Sequence, residues 1–305
     1  MTVPDGASST ITSVEIVRRL SSGGAEILCD RWRRHDSDVL QATLPAADQN
    51  SRWKPLRSWS DIYMAAIVLV HGAWQGAWCW SRVVHQLGER GMRTLVIELP
   101  GHGDDPGPLG DLHGDAMLVR QVLDGIDEPV VLAGHAYGGA VITEAGDHPA
   151  VRELVYIAGF VLDAGESCVS ATVKLSDAAR ISWEGQHTLA EGFVTGPKRT
   201  ITLDPMVAGA RLYNDCDAST IAWAVAHLGP QRLDNLRGVP GAIAWRSKPS
   251  VYVVCADDLA VHPDLERAFA GRCTSSVEWP TSHSPFLSRP DLVAGLLGEL
   301  ATAAA

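Results

Sequence analysis

The feature that most constrains this chain is a recurring unit: a short apolar run, a turn, then a stretch with helical spacing. Residues 67–70 form a continuous apolar run, further strand-like runs fall at 94–99, 130–133, 154–157, 250–255 and 276–279, and helical stretches fall at 80–90, 117–126, 139–146, 264–270 and 290–300. Runs without polar alternation suit strands buried on both faces, and a helix between successive strands returns the chain to add each strand in parallel. The expected fold class is therefore α/β, with a mostly parallel central sheet flanked by helices.

The alternation lapses between residues 162 and 248, where helix signals such as 218–227 mix with Trp183, Trp223 and Trp245. An apolar insertion between sheet strands reads as a helical lid. Residues 1–63 form a second departure. They are rich in Ser, Asp and Arg, and only 11–20 shows a loose apolar face, through Ile11, Val14, Ile16, Val17 and Leu20, which suggests a short helix. The rest of 1–63 reads as loop. The division expected is a dispensable extension over 1–63 and one domain over 64–305, its lid at about 162–248.

Bulk properties narrow the function class. A formal net charge of −11 over 305 residues argues against a nucleic-acid partner, which needs a basic face. No apolar run is long enough to span a membrane, and no signal peptide is visible. The six cysteines form no CxxC pair, as suits reduced thiols in a cytoplasmic protein.

Four elements carry chemistry. Gly134-His135-Ala136-Tyr137-Gly138 follows a buried strand and opens a helix, the context of a nucleophile elbow with the pattern G-x-S-x-G; here Ala136 stands at its centre. His71-Gly72-Ala73-Trp74 follows the first strong strand, where a loop supplies one oxyanion-hole N–H; Ala73 and Tyr137 are the candidate donors. Asp257 and Asp258 end a late strand, where a triad acid belongs, and Asp258 is preferred. His283 follows in the loop after the last strand, so nucleophile, acid and base come in the required chain order.

The stretches VLVHGAWQGAWCW, LPGHGDDP, GHAYGGAV, LVYIAGFVLDAGES, YNDCD, YVVCADD and TSHSPFLSRP together resemble the α/β-hydrolase group of methyl salicylate esterase, related methylesterases and hydroxynitrile lyases. The likeness covers about residues 65–300. It implies the α/β-hydrolase fold and a cofactor-free serine esterase, with Ala136 at the nucleophile position, Asp258 as acid, His283 as base, and Ala73 and Tyr137 at the oxyanion hole. It implies no metal, and Trp74, Trp78, Tyr213 and Trp223 are candidates for substrate binding. Hydroxynitrile lyases of the group carry a lysine after the catalytic histidine and a threonine in the first loop. Ser284 and Gly72 stand there in this chain, which points to the esterase branch.

Ala136 has no hydroxyl and cannot form an acyl-enzyme. The reading adopted is a carboxylic-ester hydrolase for a small apolar or aromatic ester, inactivated by a Ser-to-Ala change. The alternative is a native pseudo-hydrolase: a ligand-binding protein, or a His283-based cyclase, lyase or cofactor-free oxygenase. Epoxide hydrolase or dehalogenase chemistry needs Asp at the elbow and is disfavoured. The expected partner is a small-molecule ester, with no nucleic acid and no membrane; a homodimer is compatible with the sequence.

Overall fold

Strand β3, Ala66–Val70, is buried at every position and forms the middle of an eight-stranded sheet. The structure, a computed structural model, describes residues 13–19, 25–31, 64–183 and 187–305. In chain order the elements are β1 (Ser13–Arg19), β2 (Ala25–Arg31), β3, α1 (Ser81–Glu89), β4 (Thr94–Ile97), α2 (Leu112–Leu123), β5 (Val130–His135), α3 (Tyr137–Ala145) and β6 (Val151–Ile157). The lid follows, with α4 (Cys168–Ala179), β7 (Phe193–Thr195), β8 (Thr200–Leu203), α5 (Pro205–Leu212), α6 (Ala218–Ala226), β9 (Gln231–Arg232) and α7 (Leu233–Arg237). Then come β10 (Ser250–Cys255), α8 (Pro263–Ala270), β11 (Ser275–Trp279), α9 (Pro285–Ser288) and α10 (Pro290–Ala303).

The sheet order is β11-β10-β6-β5-β3-β4-β1-β2, with every neighbouring pair parallel except β1–β2. Crossover connections put the C-terminal ends of β3, β5, β10 and β11 on one rim. That rim carries the Ala73 loop, Ala136, Asp258 and His283.

Three departures from expectation have physical causes. Residues 13–19 form a strand and not a helix: β1 pairs in parallel with β4, Val17 opposite Ile97, and the Glu98 N–H donates to the Val17 carbonyl at 3.0 Å. Val14, Ile16 and Val17 are β-branched, and an open sheet edge decides between weak local propensities. Residues 25–31, read as loop, form β2. Ile16 and Val17 are buried, so this part of the extension belongs to the core. The expectations for residues 1–12, 20–24 and 32–63 lie outside the described residues. In the lid, helices are joined by a small antiparallel sheet, β7-β8-β9, whose strands are too short to leave a periodic signature.

Helix α2 begins five residues before the predicted start, where the Asp111 side chain caps it by accepting from the Gly114 N–H at 2.8 Å. No described helix is long and apolar enough to cross a membrane. Cys79, Cys168, Cys216, Cys255 and Cys273 are free thiols.

Candidate active site

Ala136 sits between β5 and α3 with φ 46° and ψ −114°, a conformation that an L-residue keeps only when its surroundings enforce it. Its N–H donates to the Ile157 carbonyl at 3.1 Å, and its carbonyl accepts from Gly139 at 2.9 Å and Phe160 at 3.1 Å. The flanking glycines make the turn fit. A Cβ on Gly134 would lie 2.4 Å from the Gly138 carbonyl oxygen, and one on Gly138 would lie 2.6 Å from that of Val70. The backbone crossing is thus closed to any side chain.

His283 and Asp258 come together across 25 residues of chain. His283 Nδ1 donates to Asp258 Oδ2 at 2.5 Å, while Asp258 Oδ1 accepts the Ala260 and Val261 N–H groups at 2.6 and 2.9 Å. Both residues are buried. Three donors on one carboxylate fix its position and leave the imidazole one orientation. Asp257 is exposed and turns away; its carbonyl accepts from Asn214 Nδ2 at 3.0 Å.

The ring next to the elbow completes the support. His135 Nε2 donates to the His283 carbonyl at 2.9 Å, and the two imidazoles lie 4.6 Å apart at their centroids. The Gln75 carboxamide is 3.0 Å from His135 Nδ1. Burial, with His283 adding to it, pushes the His135 pKa well below the ordinary histidine range, so this ring stays neutral. His71 is also driven down, to about 3, chiefly by burial, and its Nε2 accepts the Leu99 N–H at 3.1 Å. Behind Asp258, Glu266 is fully buried and accepts the Cys255 N–H at 2.9 Å. Burial beside the Asp258 charge pushes Glu266 well above the usual carboxylate range.

The Ala73 loop lies against the elbow: a Cβ on Gly72 would be 3.2 Å from that of Ala136. Tyr137 is the first residue of α3, so its N–H is one of the helix-end donors without an intrahelical acceptor. Its side chain is buried, and its hydroxyl donates to Asp115 Oδ2 at 2.7 Å; Asn235 Nδ2 donates to the same oxygen at 3.0 Å.

The aromatic candidates divide. Trp78 and Trp223 are half-buried and meet edge to face at 5.2 Å, with His227 beside both. Trp74 and Tyr213 are buried; the Tyr213 hydroxyl accepts from Gln75 Nε2 at 3.4 Å. Trp245 packs inward and donates its indole N–H to the Leu162 carbonyl at 2.8 Å, whereas Trp183 is half-exposed against His262. Gln75, His135, Asp115, Gln231 and Asn235 join the site region without a sequence signal beyond their nearness to motif glycines or the lid. No cluster of three or more His, Cys, Asp or Glu side chains among the described residues is arranged to hold a metal ion.

Comparison with known proteins agrees with this fold. An alpha/beta hydrolase nvfD from Aspergillus novofumigatus is 28% identical over 248 residues, covering 76% of this chain and 94% of that protein. Methylesterase 9 from Arabidopsis thaliana is 28% identical, covering 67% of this chain and 84% of its own. The crystal structure of polyneuridine aldehyde esterase superposes with a TM-score of 0.66 at 21% identity, covering 78% of this chain and 99% of that one. The Alpha/beta hydrolase family model matches residues 67–296. With the parallel sheet, the strained strand-to-helix turn and esterase relatives all in agreement, this chain belongs to the alpha/beta hydrolase family.

Proposed function

We propose that this chain carries the machinery of a carboxylic-ester hydrolase for small apolar or aromatic esters, with Ala136 where the reaction needs a serine. The observation that carries the reading is the buried His283–Asp258 pair on the same rim as a fully formed elbow. A serine at 136 would pass its proton to His283 as it attacks the ester carbonyl. Negative charge would form on the carbonyl oxygen beside the Ala73 and Tyr137 N–H groups. His283 would then give the proton to the leaving alcohol and take one from water to release the acid. Asp258 would hold the imidazole and balance its positive charge. Trp78 and Trp223, half-buried and in contact, are the apolar wall offered to the ester.

Ala136 itself favours a second reading. A chain that keeps acid, base and elbow without the nucleophile can hold a ligand, or move protons through His283 in a cyclase, lyase or cofactor-free oxygenase. The test is to incubate the chain and its Ala136→Ser variant with p-nitrophenyl acetate and weigh each protein. The esterase reading expects an acetyl adduct on the serine variant and none on the alanine chain. No adduct on either, with no p-nitrophenol released, supports the second reading.

A further inference from the structure

Trp74 has an unusual set of partners. It adopts φ 63°, and its backbone and indole groups are held by the lid. Its N–H donates to Gln231 Oε1 at 3.4 Å, and its carbonyl accepts the Gly229 N–H at 2.8 Å. Its indole N–H donates to the Ile201 carbonyl at 3.0 Å, and its ring tilts against Phe193 at 5.5 Å. All three strands of the lid sheet, β7, β8 and β9, therefore grip one residue of the loop that follows β3. A left-handed tryptophan persists where its surroundings determine it this fully.

The same lid segment reaches the other side of the site four residues later. Asn235 Nδ2 donates to the Tyr137 hydroxyl at 3.1 Å and to Asp115 Oδ2 at 3.0 Å. Gln231 and Asn235 are both fully buried. Gln231 also takes His102 Nε2–H on Oε1 at 2.8 Å, yet among the described residues its own amide nitrogen finds no acceptor and Asn235 Oδ1 finds no donor. An apolar pair would seat a lid without leaving two polar atoms unsatisfied.

We propose that Gln231 and Asn235 are positioning residues that brace the two oxyanion-hole amides from the lid, Gln231 acting on Ala73 through Trp74 and Asn235 acting on Tyr137 through its hydroxyl. This rests on the esterase reading of the site. It makes the seating of the lid and the shape of the oxyanion hole one event: a lid that lifts withdraws the acceptor of Trp74 and loosens the Tyr137 side chain together. Both residues act on the reaction only through their neighbours.

The test uses the Ala136→Ser protein with p-nitrophenyl acetate, adding Gln231→Met, Gln231→Glu or Asn235→Ser. Loss of one oxyanion donor costs about 10²–10³ in kcat, so a displaced donor should cost at least about tenfold, with KM changed by no more than about twofold. Gln231→Glu, which keeps the acceptor oxygen, should recover most of the loss. Should Gln231→Met not fold, Trp74→Phe, which removes the indole bond to Ile201, is read in the same way. Unchanged kcat, or a rise confined to KM, overturns the proposal. If Ala136→Ser is itself inert, the esterase reading fails and the bracing is read separately in the alanine chain by amide NMR. Gln231→Met should then move the Ala73 resonance and Asn235→Ser that of Tyr137; resonances that stay in place overturn the bracing.

Discussion

His283 Nδ1 donates to Asp258 Oδ2 at 2.5 Å, and the neighbouring Asp257 is exposed. Adjacent acids at one strand end thus have different environments. In an Ala136→Ser protein, Asp258→Asn should lower kcat by about 10⁴, because the amide would favour the wrong imidazole tautomer. Asp257→Asn should leave kcat within about twofold, as surface changes away from the site usually do little. Steady-state ester hydrolysis by the two variants distinguishes them, and equal losses would remove the distinction between the two acids.

The elbow predicts where a single methyl group is intolerable. Gly138→Ala would place a Cβ 2.6 Å from the Val70 carbonyl oxygen and 2.7 Å from that of His71, both backbone atoms of the central strand and its loop. No side chain can swing aside there. Thermal unfolding should show a loss on the order of 1–3 kcal/mol or more, as overpacked cores do. Gly295→Ala, which meets nothing within 4 Å on α10, should be neutral or stabilising.

Removal of residues 1–63 should destabilise the domain. Strand β1 covers the edge of β4, and Ile16 and Val17 are buried there. Each such side chain contributes roughly 1.5–3 kcal/mol by burial. A chain starting at Met64 should melt several degrees lower and aggregate more readily, because the β4 edge would stand open. An unchanged melting temperature would show that β1 contributes nothing to stability.

Asp115 should make the stability of the fold depend on pH. Burial, against the hydrogen bonds from Tyr137 and Asn235, raises its pKa to about 7 from an ordinary value of 3.8. Between these values the folded chain binds more protons than the unfolded chain, so this contribution is full below the unfolded pKa and is lost as pH rises through about 7. A shift of this size corresponds to a few kcal/mol at most, about 1.36 per pKa unit. Denaturant titrations from pH 4 to pH 8 should therefore show a decline that Asp115→Asn flattens. An identical decline in both proteins would assign it to other groups, such as Glu266, whose pKa is also raised by burial.

The legible parts of the fold were those written in continuous apolar runs. Strands β3, β5 and β10, and the chain order of Ala136, Asp258 and His283, follow from local pattern because each of these candidate positions lies just after a strand that the sequence marks. Strand β1 was not legible: Ile16 and Val17 fit a helical face as readily as a strand, and the open edge of β4, far along the chain, decides between them. The lid sheet escaped for a related reason, since β9 has only two residues and exists through its pairing with β8. Gln231 and Asn235 carry no motif; what marks them is contact with Trp74 and Tyr137 over separations of 157 and 98 residues.

The measurement that bears most directly on the account is pre-steady-state and steady-state hydrolysis of p-nitrophenyl acetate by the Ala136→Ser protein, with and without His283→Ala. Triad members act as a unit, and losing the nucleophile can cost on the order of 10⁶ in kcat. Ala136→Ser should produce a burst of p-nitrophenol followed by turnover, the alanine chain should produce neither, and His283→Ala should abolish the gain. An Ala136→Ser protein that folds, keeps the His283–Asp258 hydrogen bond and still leaves the ester intact would contradict the esterase reading.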